Sequence, residues 1–137
     1  MNSEIMKKYV FLFGLLICFV MSSYAQTQDE DIKVYDVVEQ MPQFEDGDSV
    51  MRAWLDEHIN YPKIAKFRKI EGRVVVRFVV EKDGSIGEIQ LARSIDPWLD
   101  QEAMRVVKSM PKWIPAKQNG NPVRVWYTLP VNFKLKS

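Results

Sequence analysis

Apolar residues recur along this chain with two periods, and the switches between them divide it into elements. Val74, Val76, Phe78 and Val80 alternate with Arg73, Val75, Arg77 and Glu81, which predicts a strand with one apolar and one mixed face. Lys82-Asp83-Gly84-Ser85 reads as a hairpin turn, because Gly84 accepts a positive φ cheaply. The return strand runs from about Ile86 to Ser94, with Ile89 and Leu91 on one face; Ile86 is out of phase with them, which predicts a bulge near Gly87. The longest alternation is the last: Val123, Val125, Tyr127, Leu129, Val131, Phe133 and Leu135 against Arg124, Trp126, Thr128, Pro130, Asn132 and Lys134.

Helical spacing appears in two places. Met51, Trp54, Leu55 and Ile59 share a face of a helix predicted over 49–59, with Asp48 as its N-cap. Pro62 suits the first position of a short second helix that buries Ala65 and Ile70 and stops at Gly72. Leu99, Ala103, Val106, Val107 and Met110 form the stripe of a longer helix, capped by Asp96, opened by Pro97 and ended by Pro111. Residues 112–122 read as a loop, and Val34 to Val38 as a β-prone extended segment. The order of two short helices, hairpin, helix and strand predicts an α+β fold: a three-stranded antiparallel sheet with helices packed on one face.

The first 25 residues stand apart. Lys7 and Lys8 precede an apolar run from Tyr9 to Met21, and Ser23 and Ala25 are small residues placed as in a signal-peptide cleavage site. The run is shorter than the roughly 18 to 20 residues that span a bilayer. We expect a cleaved signal peptide over 1–25, a polar tether over 26–33 and a folded domain over 34–137; an uncleaved inner-membrane anchor is the alternative. Removing residues 1–25 takes away the single cysteine, Cys18, and leaves equal numbers of acidic and basic residues. The exported domain is then expected to rest on its core alone, without disulfides, and its balanced charge gives no reason to expect nucleic acid as a partner.

Little in the sequence points to catalysis or to a metal. His58 is the one histidine, and a metal site needs three or four converging ligands; beside Glu57 it reads as a surface helix residue. Asp96, Asp100 and Glu102 suit the positive end of a helix dipole, and Asp83-Gly84-Ser85 lacks the glycine spacing of a phosphate loop. No cofactor is expected. Lys66, Arg68 and Lys69 form a small basic patch, read as a solvated helix face or, less favoured, as a contact for an acidic partner. Among the tryptophans, Trp54 reads as core. Trp113 in its Pro-rich loop and Trp126 on the polar face of the last strand are candidate interface anchors, or they pack on neighbouring side chains, including each other.

Taken in order, these residues resemble the C-terminal domain of the TonB family. Tyr61-Pro62, Ala65 and Gly72 match its Tyr-Pro, helix and glycine pattern, and Val74 to Val80, Asp83-Gly84 and Ile86 match its hairpin. Leu99, Ala103 and Val107, then Met110-Pro111-Lys112-Trp113 and Pro115, match its helix and Pro-Lys-Trp-x-Pro loop. Gly120, Pro122-Val123, Pro130-Val131 and Phe133 match its last strand, and Val38 to Phe44 is similar to the lead-in of Bacteroidetes-type members. The resemblance implies a non-enzymatic periplasmic module. Its last strand would pair with the TonB box of a TonB-dependent outer-membrane receptor, and the Tyr61-Pro62 region would touch the receptor. An anchored member would be pulled by an ExbB–ExbD-type motor in the inner membrane. The tether over 26–33 departs from the pattern: it has no proline, and at about 3.5 Å per residue it reaches roughly 28 Å, short of a periplasm-spanning spacer. A stand-alone adaptor, a short anchored paralogue acting as an energy transducer, and a self-assembling protein or homodimer are the open readings; an enzyme on the same frame is the remote one.

The candidate partner-binding residues are Tyr61, Pro62, Trp113, Arg124, Trp126 and Thr128. The last three follow from strand geometry. Pro130 has no N–H and cannot donate to a ladder on its own edge. Even-numbered residues of the last strand therefore belong to the open edge and odd-numbered residues to the paired one. The alternatives are a bulge at Pro130 or an edge already covered by Val34 to Val38.

Overall fold

The computed structural model describes residues 32–136. Eight elements follow from Val34 onward: β1 (Val34–Tyr35), α1 (Asp48–His58), α2 (Lys63–Phe67), β2 (Gly72–Val80), β3 (Ile86–Arg93), α3 (Pro97–Lys108), β4 (Ala116–Gln118) and β5 (Asn121–Phe133). The architecture is α+β as the patterning predicts. β2 is central in an antiparallel β3-β2-β5 core, to which β1 adds a parallel strand and β4 a short antiparallel one, so the sheet has five strands where three were expected. The two additions are two and three residues long, too short to carry a period.

Both long alternations resolve onto the buried face. Val74, Val76, Phe78 and Val80 of β2 are fully buried, and Val125, Leu129, Val131 and Phe133 of β5 nearly so. They share one cluster with the α3 stripe of Leu99, Ala103, Val106 and Val107, with Met110 just past the end of α3, and with Met51, Leu55 and Ala65 from the short helices. The hydrophobic effect therefore seats the helices on one face of the sheet. A bulge does fall near Gly87: Phe78 pairs with Ile89 but Val80 with Ile86, so β3 carries an extra residue there. The Glu81 carboxylate lies where a Cβ on Gly87 would be.

The ends of the helices differ from expectation in detail. Asp48 lies inside α1, and Gly47, at φ 96°, takes the N-cap with no side-chain bond. Pro62 sits at the N-cap of α2, and Lys69 rather than Gly72 makes the left-handed turn after it, at φ 56°. That turn closes with Ile70 N–H donating to the Ala65 carbonyl at 2.8 Å, as in a Schellman end. Gly72 instead begins β2, where a Cβ would come within 2.9 Å of Ile95. The N-cap of α3 is as predicted: the Asp96 side chain accepts from Trp98 N–H at 3.0 Å, with Pro97 next.

Asp100 and Glu102 do more than complement a dipole. Both are buried. Asp100 accepts from the Ile95 N–H at 3.0 Å and from the Ser94 hydroxyl, pinning the turn into α3. Glu102 accepts from the Asn60 N–H at 2.7 Å and is ion-paired with Arg105, which donates in turn to the His58 carbonyl at 3.0 Å. The pairing with Glu102 raises the Arg105 pKa. These bonds fasten the α1–α2 junction, and with it Tyr61-Pro62, onto α3.

The predicted loop over 112–122 is structured. Ala116–Gln118 folds back on Asn121–Val123 through a turn in which Asn119 and Gly120 both have positive φ. Gln40 and Gln43 pair with Lys117 and Ile114, so the lead-in runs beside this segment.

Candidate strand-accepting edge

β5 positions the candidate site because its two edges are used unequally. From Val125 to Phe133 one edge is paired throughout with β2. On the opposite edge β1 takes Arg124 and Val125 in parallel register. Beyond Val125, no strand among the described residues covers that edge. Pro130 pairs with Val75. Since Pro130 cannot donate, this is a pair without mutual hydrogen bonds, and the parity follows along the strand. Odd residues bond β2, and even residues, among them Thr128 and Asn132, turn their backbone polar groups outward.

A groove runs beside this edge. Met51, Arg52, Leu55 and Asp56 of α1, with Ile59, face Tyr127 and Leu129 to Asn132 across a hollow of about 540 Å³. A second hollow of about 530 Å³ shares Asp56, Ile59 and Asn132 with it and continues past Tyr61 and Phe133 to Lys134, Leu135 and Lys136. The lining mixes apolar side chains, Met51, Leu55, Ile59 and Leu129 among them, with charges of both signs: Asp48, Asp56, Arg52, Arg73, Lys66 and Lys134. Arg73 bridges to Asn132, its Nε donating to Oδ1 at 3.0 Å. Burial, with Asp48 nearby as a smaller cause, raises the pKa of Tyr127 on the groove wall.

The residues singled out in the sequence separate into three groups. Tyr61 and Thr128 lie along the open side of β5: the Tyr61 ring meets Phe133 edge-on at 5.8 Å, and Thr128 is exposed on the strand. The Tyr61 hydroxyl donates to the Ile70 carbonyl, closing the α2 turn, and burial followed by the Glu71 charge raises its pKa. Pro62 is half-buried next to it.

Trp126 and Arg124 are engaged within the fold. The Arg77 guanidinium lies over the Trp126 ring, 4.1 Å from its centroid, and also donates to Asp36 at 2.7 Å. This stack ties the segment after β1 to the open face of the sheet; the partner of Trp126 is thus Arg77 and not Trp113. Arg124 makes a two-point pair with Glu81, at 2.6 and 3.1 Å, which raises its pKa. With β1 alongside, the Arg124 backbone is already matched, so the free edge is shorter than the sequence suggested.

Trp113 is a correction. It is 3% exposed and forms the hub of an aromatic cluster, edge-on to Phe44 at 5.7 Å, Phe78 at 5.5 Å and Tyr127 at 4.8 Å. It cannot anchor a partner without unfolding the core. Its indole N–H is buried without a hydrogen-bond acceptor. Trp54 is half-buried, stacked on the His58 ring at 4.0 Å.

The groove wall supplied by Met51, Asp56, Ile59 and Arg73 was not singled out. Met51 and Ile59 were legible only as the buried stripe of α1, and nothing in their spacing says that the stripe also borders a free strand edge. Among the described residues no cluster of three or more His, Cys, Asp or Glu is arranged to hold a metal ion, and no helix is long and apolar enough to cross a membrane. The signal-peptide expectation for 1–25 lies outside the described residues, as does nearly all of the tether.

A family model for the Gram-negative bacterial TonB protein C-terminal region matches residues 57–135. The protein tonB2 of Pseudomonas aeruginosa is 38% identical over 76 residues, which are 55% of this chain and 28% of the relative. Protein TonB of Helicobacter pylori strain 26695 is 32% identical over 77 residues, 56% of this chain and 26% of the relative. This chain therefore spans less than a third of the length of these relatives. Among solved structures, the NMR structure of the Helicobacter pylori TonB C-terminal domain (residues 179–285) superposes with a TM-score of 0.50 at 26% identity, covering 64% of this chain and 78% of that one. The family match takes in more than half of the sequence, and the chain belongs to the TonB C-terminal family.

Proposed function

We propose that this protein is an exported, periplasmic binding module that accepts a short extended segment of an outer-membrane receptor as an added strand on β5. The carrying observation is the uncovered edge from Trp126 to Phe133 beside a groove, on the same side of β5 where β1 already pairs in parallel. Strand addition draws affinity from main-chain bonds and selectivity from alternate side chains. Outward N–H and C=O groups at Thr128 and Asn132 offer the first, and the groove offers the second. Pro130 contributes only a carbonyl, so the ladder of donors is interrupted between those two. The receptor class, a TonB-dependent receptor presenting a TonB box, is carried over from the family. So is a role in energy-coupled transport or its modulation, rather than catalysis.

Thr128→Pro tests the edge. It deletes one outward donor and leaves the buried odd-numbered face untouched. Calorimetry with a TonB-box peptide should show binding weakened at least about tenfold, the scale of one charge-free hydrogen bond lost at its full desolvation cost. Thr128→Val keeps the N–H and should bind within about twofold of the parent. Equal affinity in a folded Thr128→Pro variant refutes the assignment. The alternative, a membrane-anchored transducer coupled to an ExbB–ExbD-type motor, is separated by fractionation. A soluble species beginning near Gln26 supports the adaptor, and a membrane-bound chain that retains residues 1–25 supports the transducer.

A further inference from the structure

The most exposed large apolar side chain in the described fold stands among cations. Phe67 ends α2 and is 88% exposed; Ile64, one turn earlier and on the same face, is 40% exposed. Lys63, Lys66, Arg68 and Lys69 flank them and are all exposed. None of the ion pairs described among residues 32–136 uses any of the four. The positive field extends sideways, since Lys66 lines the same hollow as Lys134 and Lys136. Two acids lie in this region: Asp56 borders that hollow, and Glu71 is held by the Leu135 N–H at 2.7 Å.

The knob is built rigidly. Ala65 is fully buried beneath it, its carbonyl accepts from Ile70 N–H, and the Tyr61 hydroxyl closes the same turn on the Ile70 carbonyl. A short helix so pinned holds Phe67 outward by construction. Single exposed apolar residues are ordinary; a phenylalanine on a fastened turn inside a ring of four unpaired cations is a different arrangement.

We propose that this knob seats the domain on an anionic phospholipid surface, with Phe67 and Ile64 entering the headgroup boundary and the four cations meeting lipid phosphates. A convex apolar tip needs either a matching hole or a fluid to enter, and a bilayer supplies the fluid without shape matching. Cations on long stems suit a laterally mobile anionic surface. Of these residues only Lys66 also lines the groove beside β5; Lys63, Ile64, Phe67, Arg68 and Lys69 lie outside it, so the role proposed for the knob does not depend on strand addition.

The test is co-sedimentation of the full chain with vesicles of phosphatidylglycerol and phosphatidylethanolamine, beside vesicles of phosphatidylcholine alone. Each cation should contribute about fivefold in partitioning. The parent should therefore bind the anionic vesicles at least tenfold more tightly than the neutral ones, and less so in high salt. Phe67→Ser, and separately the combined Lys63→Gln and Arg68→Gln variant, neither of which touches a residue lining the groove beside β5, should each lower anionic binding about tenfold or more. Both should leave TonB-box peptide affinity unchanged, which separates a failure here from a failure of the strand-accepting edge. Equal binding to the two vesicle types, or variants that bind as the parent does, would overturn the proposal. Loss of receptor capture in the charge variant without any anionic-vesicle binding would also overturn it, and would assign the knob to an acidic protein surface.

Discussion

Substituting Gly84 by alanine should cost far more than the same change at Gly120, although both glycines have similar positive φ, 85° and 78°. The common part is the left-handed backbone, worth roughly 1 to 2 kcal/mol against any L side chain, partly offset by about 0.4 to 1 kcal/mol from restricting the unfolded chain. Gly120 has nothing within 4 Å of its missing Cβ, so its cost should stop there, near 1 kcal/mol. A Cβ on Gly84 would overlap the Trp113 carbonyl oxygen. Relief of that overlap pushes the loop off the hairpin and endangers the bond from Trp113 N–H to the Gly84 carbonyl, now 2.8 Å. A buried backbone pair left unmade costs about 1 to 3 kcal/mol, before any loss in the aromatic packing of Trp113. Gly84→Ala should therefore lose roughly 2 to 4 kcal/mol in urea unfolding followed by tryptophan fluorescence. A difference between the two variants below about 0.5 kcal/mol would refute the reasoning, because the shared backbone strain would then explain everything.

Three further outcomes follow from the same structure. Phe78→Ala should destabilise by about 3 to 5 kcal/mol, since the ring is fully buried against Trp113 and Tyr127; a loss below about 1 kcal/mol in denaturant titration would mean the strand faces are reversed. Asp96→Ala should cost about 1 kcal/mol through the lost cap on Trp98 N–H, read as a lower thermal midpoint with an unchanged far-ultraviolet spectrum at low temperature. The Asp83 carboxyl should titrate below the ordinary aspartate value, held down first by its bonds from Ser85 and less by Lys112. A lowered folded pKa means its contribution to stability is present above about pH 4 and disappears as pH falls through the folded value. Carbon-detected NMR titration should show the midpoint move up in Ser85→Ala and move little in Lys112→Gln.

What was legible in the sequence is what periodicity records. β2, β5 and α3 each present an unbroken apolar face, and each is long enough for the period to show. The bulge at Gly87 was legible because Ile86 breaks phase, though its cause, the Glu81 carboxylate lying over the glycine, is a contact between residues the pattern cannot relate. β1 and β4 were not legible as pairing strands, because two or three residues have no period and their partners are distant in sequence. The same limit governs the site. Pro130 betrayed the parity of the edge, since a missing donor is a property of one residue. The burial of Trp113 depends on Phe44, Phe78 and Tyr127 arriving from three other segments, so its place in a Pro-rich loop misled.

The two outer edges of the sheet differ in ways that favour β5 as the one that receives a strand. An uncovered edge invites aggregation, and folded proteins blunt such edges with bulges, charges and proline. β3, the far edge, carries two register shifts against β2 and charged side chains at Glu88 and Arg93, so its outward groups are poorly spaced for a ladder. β5 keeps continuous register with β2 from Val125 to Phe133, and a straight strand turns its free groups outward at regular spacing. Its start is closed by β1, fastened through Asp36, Arg77 and the Trp126 ring, and its middle lacks one donor at Pro130. An edge so bounded gives a second chain only a short ladder, which disfavours open-ended self-association. It still suits a brief extended segment whose side chains reach the groove under α1. Under the proposed strand addition, the same features that limit aggregation would select a short peptide, with its main-chain contacts expected at Thr128 and Asn132.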